Sequence, residues 1–240
     1  MDAFPYEFDK SVDEQPVVGL IVLQTDETLE QDLRRLIPTS VNLLASRIPN
    51  ATEVTKETLG AMTDHMKVSA SLLPRDMDFK CVGYGCTSAS SVIGPAKIAE
   101  LVKSGCSTND VTNPVSGLID ACNDLGIKKL AFLSPYIEEV SNTLRSVLAD
   151  NGIESPIFGS FNEGNDRNVA RIDGNSIKSA AIELAKQGDV DAIFLSCTNL
   201  KTLDVISEIE AATGKRVLSS NLVMARHMAK LGGFELNPIH

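Results

Sequence analysis

The chain has 240 residues, 43% of them apolar and 22% charged, which is the balance of a soluble globular protein with enough sequence for two lobes. A formal net charge of -10 and a pI near 4.8 exclude the basic surfaces that nucleic acid and anionic membranes attract. Five cysteines without regular spacing and three scattered histidines, His65, His227 and His240, argue against a disulfide framework and a zinc site, and fit a reducing compartment.

Residues 1–15 read as an acidic arm with isolated aromatics to dock it. Its charge is the opposite of a signal peptide's, and no stretch approaches the roughly 20 apolar residues of a spanning helix. The expected location is the cytoplasm. Residues 17–23 are nearly all apolar and rich in β-branched side chains, as in a strand covered on both faces. Gln24, Thr25, Asp26, Glu27 and Thr28 then place oxygens and acids where a helix starts at Leu29. Residues 41–47 form a second strand. Residues 56–73 carry Leu59, Met62, Met66, Ala70 and Leu73 at helical spacing until Pro74 stops them.

After Asp78 comes a short buried strand, with Gly85, Cys86, Thr87 and Ser88 as a tight turn into a helix. A helix over 96–102 ends at Gly105, and a strand at 111–114 leads into a helix over 115–125 that Gly126 closes. The second half reads as strand 129–133, helix 137–149, strand 153–158, helix 176–186, strand 192–195, helix 202–212, strand 216–218 and helix 222–231. Residues 162–173 are the longest polar stretch and read as a loop over the mouth of a site. Strands alternating with helices, without hairpin signals, predict parallel sheets with right-handed crossovers and a ligand beyond the strands' carboxyl ends.

Two internal echoes divide the chain. Asp78 to Ser88 and Asp189 to Asn199 share an acid, an apolar strand, Cys-Thr and a short polar residue, and Cys86 and Cys197 lie 111 positions apart. The strand ending at Thr25 recurs in the one ending at Ser134, at an offset of 109. Near-constant spacing is what a duplication leaves. The expected fold is therefore α/β, with two similar flavodoxin-like parallel-sheet lobes related by a pseudo-twofold and the active site between them. Residues 16–114 plus 216–240 make lobe 1, and 115–215 lobe 2.

A cysteine at a strand end, just before a helix, meets free backbone N–H groups and the positive end of the helix dipole, and both favour the thiolate. Thr87, Ser88, Thr198 and Asn199 add donors for a carboxylate or a developing enolate. Two such sites face to face supply a base and an acid on opposite sides of a carbon. Cys81, Cys106 and Cys122 read as packing residues. Asp26 is either a helix cap or a site residue, and Tyr136 either a half-buried aromatic or a site residue.

The paired Gly-Cys-Thr-Ser and Ser-Cys-Thr-Asn motifs resemble those of the aspartate/glutamate racemase superfamily, which includes maleate isomerases, arylmalonate decarboxylases and hydantoin racemases. The resemblance spans residues 17–231. It implies no cofactor, and it implies that Cys86 and Cys197 work on opposite faces of a small carboxylic acid. Arylmalonate decarboxylases carry Gly in place of the first cysteine, so Cys86 argues against plain decarboxylation. Maleate isomerases are similar in both cysteines and around Tyr136, whose hydroxyl that resemblance assigns to a substrate carboxylate. Where they carry amides, this chain has acids, in the stretch at Thr25 and Asp26 and again at Asp166. An amide donates to a carboxylate; an ionised Asp repels it. The segment 19–28 is most similar to the ectoine-utilisation protein A branch. The expected activity is a two-thiol isomerase or racemase of an amino-acid-like or cyclic amidine acid, with maleate isomerisation and a sensor without turnover as alternatives. A homodimer is the default assembly.

Overall fold

The computed structural model describes residues 3–9 and 15–239. Residues 3–9 form no regular element, with Phe4, Tyr6 and Phe8 exposed. The rest of the expected arm, residues 1, 2 and 10–14, lies outside the described residues.

The elements run β1 (Val17–Leu23), α1 (Leu29–Leu36), β2 (Asn42–Ile48), α2 (Lys56–Ala61), α3 (Thr63–Ser71), β3 (Phe79–Gly85), α4 (Thr87–Ile93), α5 (Pro95–Lys103), β4 (Thr108–Thr112) and α6 (Pro114–Leu125). They continue with β5 (Lys129–Ser134), α7 (Glu138–Asp150), β6 (Glu154–Ser160), α8 (Asp166–Val169), α9 (Gly174–Ala185), β7 (Ala192–Leu195), α10 (Ile206–Thr213), β8 (Arg216–Ser219) and α11 (Ser220–Gly232). The expected helix over 56–73 is broken at Met62 into α2 and α3. The polar stretch 162–173 contains one turn of helix, α8.

The strands build two parallel four-stranded sheets in the orders β2-β1-β3-β4 and β6-β5-β7-β8. The order is the same when β1 is matched to β5 and β3 to β7, as the internal echoes predict. Strand burial follows: β1 and β7 are buried almost throughout, because helices cover both faces of each sheet.

The lobes are exchanged at their last helices. α6, which follows the fourth strand of the first sheet, puts Val115, Leu118, Ala121 and Cys122 into a core with Phe132, Phe194 and Leu218 of the second. α11, which follows the fourth strand of the second sheet, returns to the first, where the Cys81 thiol donates to the Met228 carbonyl (3.5 Å). Cys81, Gly83 and Gly85 share that face of β3, and a Cβ on Gly83 would fall 2.3 Å from the Met224 side chain. The expected division is corrected here: residues 216–219 pair with β7 and belong to the second sheet, so the return is made by α11 and the residues after it, where the Asn237 N–H donates to the Leu36 carbonyl (2.7 Å). No helix among the described residues is long and apolar enough to cross a membrane.

α6 and α11 meet where the exchange occurs, and Gly117 makes the approach possible. A Cβ there would lie 2.5 Å from the Val223 carbonyl oxygen. Backbone cannot turn aside as a side chain can. Gly117→Ala should therefore lower stability by about 1–3 kcal/mol in urea unfolding. Gly60→Ala, where nothing lies within 4 Å, should be neutral or stabilising by up to about 1 kcal/mol.

Candidate active site

Each sheet ends in the same way, with a strand breaking into Cys-Thr at the cleft between the lobes. Cys86 caps α4 with an extended backbone, and its sulfur accepts the Ala89 N–H (3.4 Å). Cys197 accepts the Asn199 N–H (3.4 Å) but holds φ at +99°, a region non-glycine residues rarely occupy. Such strain persists only where surrounding contacts over-determine it. Ser220 supplies one of them: its hydroxyl oxygen accepts the Cys197 N–H (3.0 Å) and also the Thr87 hydroxyl (2.8 Å). One buried oxygen thus ties both cysteine motifs together.

Tyr136, buried at the end of β5, stands beside Cys197, with its hydroxyl 3.1 Å from the sulfur. That hydroxyl donates to Asp166 Oδ1 (2.9 Å). The other Asp166 oxygen accepts the Thr25 hydroxyl (2.5 Å), and Asn50 Nδ2 donates to Thr25 Oγ1 (2.8 Å). Asp26 Oδ1 accepts the Thr28 and Leu29 N–H groups (2.8 Å each), so it is the cap of α1. Its second oxygen is buried without a hydrogen-bond partner. Asp26 is thus both cap and part of the cluster, since its charge and that of Asp166 act on both thiols.

The ten expected site residues divide. Cys86, Cys197, Tyr136, Asp166, Thr25, Asp26 and Ser88 gather at the cleft, with Cys86, Ser88, Tyr136 and Asp166 lining one cavity. Thr87, Thr198 and Asn199 are there too, but their side chains hold the lobes together: Thr87 donates to Ser220, Thr198 to the Gly85 carbonyl (3.4 Å), and Asn199 Oδ1 accepts the Glu27 N–H (2.8 Å). Asn50, Ser220 and Asn221 were not foreseen. They follow β2 and β8 as the other polar clusters follow β1, β3, β5 and β7, so the strand-end rule could have found them.

Burial overturns one expectation. It pushes the Cys86 thiol up to about 12 and Cys197 well above its ordinary value, and the Asp166 carboxylate adds to both. The N–H groups of Ala89 and Asn199 work the other way and lose. Both thiols are therefore protonated at neutral pH.

The cavity holds about 20 Å³, room for about one water. Residues 52–54 and 164–166 are laced across it: Glu53 and Asn165 form an antiparallel bridge, and the Asp166 N–H donates to the Thr52 carbonyl (3.3 Å). Among the described residues, no group of His, Cys, Asp and Glu could hold a metal ion.

Two exchanged α/β lobes with a cysteine from each at their junction define a two-thiol catalytic scaffold. The chain belongs to the arylmalonate decarboxylase family, whose model matches residues 18–237. It is 28% identical to a maleate isomerase of Geobacillus stearothermophilus over 227 residues, covering 85% of this chain and 86% of that one. A maleate isomerase of Pseudomonas putida is 24% identical over 240 residues, covering 92% of this chain and 93% of the relative. Among solved structures, a liganded arylmalonate decarboxylase mutant superimposes with a TM-score of 0.81 at 24% identity, over 94% of this chain and 97% of that one. The family is one of cofactor-independent, cysteine-based isomerases and decarboxylases.

A second buried acid adjoins the site. Asp32 Oδ2 accepts from Asn221 Nδ2 (2.7 Å), which also donates to the Thr198 carbonyl (2.9 Å). Burial raises Asp32 to about 6, against the Asn221 hydrogen bond. Between roughly pH 4 and 6 the folded protein therefore holds a proton that the unfolded chain has lost, and stability falls as pH rises through that window. A rise of that size corresponds to roughly 3 kcal/mol. Asp32→Asn should raise the melting temperature at pH 7 and remove part of the pH dependence between 4 and 6, the rest belonging to Asp26, which burial also raises to about 6. It would also offer a donor to Asn221 Oδ1, which has no partner.

Proposed function

We propose that the protein is a cofactor-independent, two-thiol isomerase or racemase of a small carboxylic acid that also carries a cationic or N–H-rich group. The observation that carries this reading is the position of Asp166. Its carboxylate lies where the Tyr136 and Thr25 hydroxyls converge, the place where a second substrate carboxylate would seek donors. Among the described residues no Lys, Arg or His lines the cavity to offset it, and Asp26 adds a buried carboxylate oxygen that lacks a donor. A dianion meets repulsion there; an ammonium or amidinium meets acceptors.

A cyclic amidine acid of the ectoine or hydroxyectoine type has the required chemistry, one carboxylate and one amidinium, and the similarity of residues 19–28 to the ectoine-utilisation branch supports it. One cysteine, as thiolate, takes the proton from the carbon next to the carboxylate. The other, as thiol, returns a proton to the opposite face, so the centre inverts and the protons balance. The names of the two relatives favour a second reading, maleate isomerisation, in which a thiolate adds to the double bond, the new single bond rotates and the thiolate leaves.

Proton NMR in D2O with ectoine, hydroxyectoine, maleate and aspartate in turn separates the readings. Deuterium should enter at the α-carbon of an amidine acid, and Cys86→Ser or Cys197→Ser should slow this by about 10²- to 10⁴-fold. Maleate converting to fumarate without α-exchange of the amidine acids would transfer the assignment to the second reading.

A further inference from the structure

We propose that Asp166 is the proton acceptor for the Cys197 thiol, reached through the hydroxyl of Tyr136. The activity needs a thiolate, and the site presents two buried thiols. Among the described residues, the hydrogen bond to the Cys86 sulfur comes from a backbone N–H, which can take no proton. Cys197 is different: its sulfur touches a hydroxyl that in turn touches a carboxylate.

The direction of this chain follows from counting hydrogens. Tyr136 has one hydroxyl hydrogen, and it lies on Asp166 Oδ1 at 2.9 Å. The 3.1 Å contact between Tyr136 and Cys197 therefore uses the thiol hydrogen, donated to the Tyr136 oxygen. Both protons already lie along the path. In the step, the Tyr136 O–H bond breaks as Asp166 Oδ1–H forms, and the Cys197 S–H bond breaks as a new Tyr136 O–H forms. Tyr136 is neutral before and after, and its hydroxyl ends donating to the thiolate. No oxidant or further reactant is involved. Thr25 holds the other Asp166 oxygen, and Asn50 holds Thr25, so the carboxylate keeps its orientation throughout.

The relay requires only that Cys197 work as a thiolate, so it can be tested without a substrate. In the Cys86→Ser protein, the rate of Cys197 alkylation by iodoacetamide is followed from pH 5 to 9. With the relay, the rate levels off to a plateau within that range. Asp166→Asn and Tyr136→Phe, checked for unchanged melting, each slow alkylation by at least about 10-fold in that range. Asp166→Glu restores part of the rate.

Charge alone predicts the opposite sign, because removing the Asp166 carboxylate eases ionisation of both sulfurs. Cys86, read in the Cys197→Ser protein, should show that acceleration on Asp166→Asn. A Cys197 rate that climbs tenfold per pH unit without a plateau, or that Asp166→Asn raises, would overturn the relay. That outcome would leave the substrate assignment standing, since the assignment rests on NMR exchange with named acids. Failure of every acid to exchange would likewise leave the relay intact.

Discussion

The site depends on a single buried hydroxyl oxygen. Ser220 Oγ takes one hydrogen bond from Thr87, beside the first cysteine, and another from the backbone N–H of the second. Ser220 opens α11, the helix that leaves the second sheet to cover the first. The crossing of the lobes and the spacing of the thiols are therefore set by the same residue. Its neighbour Asn221 extends the tie, joining the Thr198 carbonyl to Asp32 on α1. With its N–H and the following carbonyl both held, Cys197 stays at a φ it would otherwise leave.

Local chemistry lost to burial at the two cysteines. A helix terminus is worth about 0.3–1 kcal/mol to an anion, up to about 2 in partly buried geometry. Withdrawing an ion from water costs several kcal/mol, and here the ion would also face two carboxylates. Motif reasoning sees the helix start and the N–H groups because they are sequence-local. It does not see that straps from both lobes close over the cleft, which is a tertiary fact.

The same division explains what was legible in the sequence. The strand and helix alternation and the two echoes predicted both sheets, because each apolar run is short, bounded and matched by a partner half a chain away. The break at Met62 was not legible. Leu59, Met62 and Met66 keep helical spacing across it, and the Thr55–Thr58 capping box signals only where α2 begins. The strand at 216–218 was found but given to the wrong lobe, since a strand's sequence does not say which sheet it completes. Cys86, Cys197 and Tyr136 were legible because each breaks a pattern at a strand end, whereas Asp166 was reached only through the resemblance to maleate isomerases, since an acid in a polar stretch breaks no pattern. Ser220 was not, because a serine before a helix reads as an ordinary cap.

Two protonated thiols and two buried carboxylates, with no Lys, Arg or His lining the cavity among the described residues, form a site that carries its negative charge on oxygen. Passing the Cys197 proton to Asp166 moves that charge onto sulfur without changing its total. On the proposed reading, a cationic group on the substrate keeps a negative partner in the site before and after the transfer, so the thiolate can form without removing the charge that attracts the substrate. A dicarboxylate gains nothing from the transfer, since the charge that repels it remains within the same few ångströms. On the proposed reading, the acids that the resemblance sets against amides bear on two choices together: which molecules enter, and which sulfur is ready to take their proton.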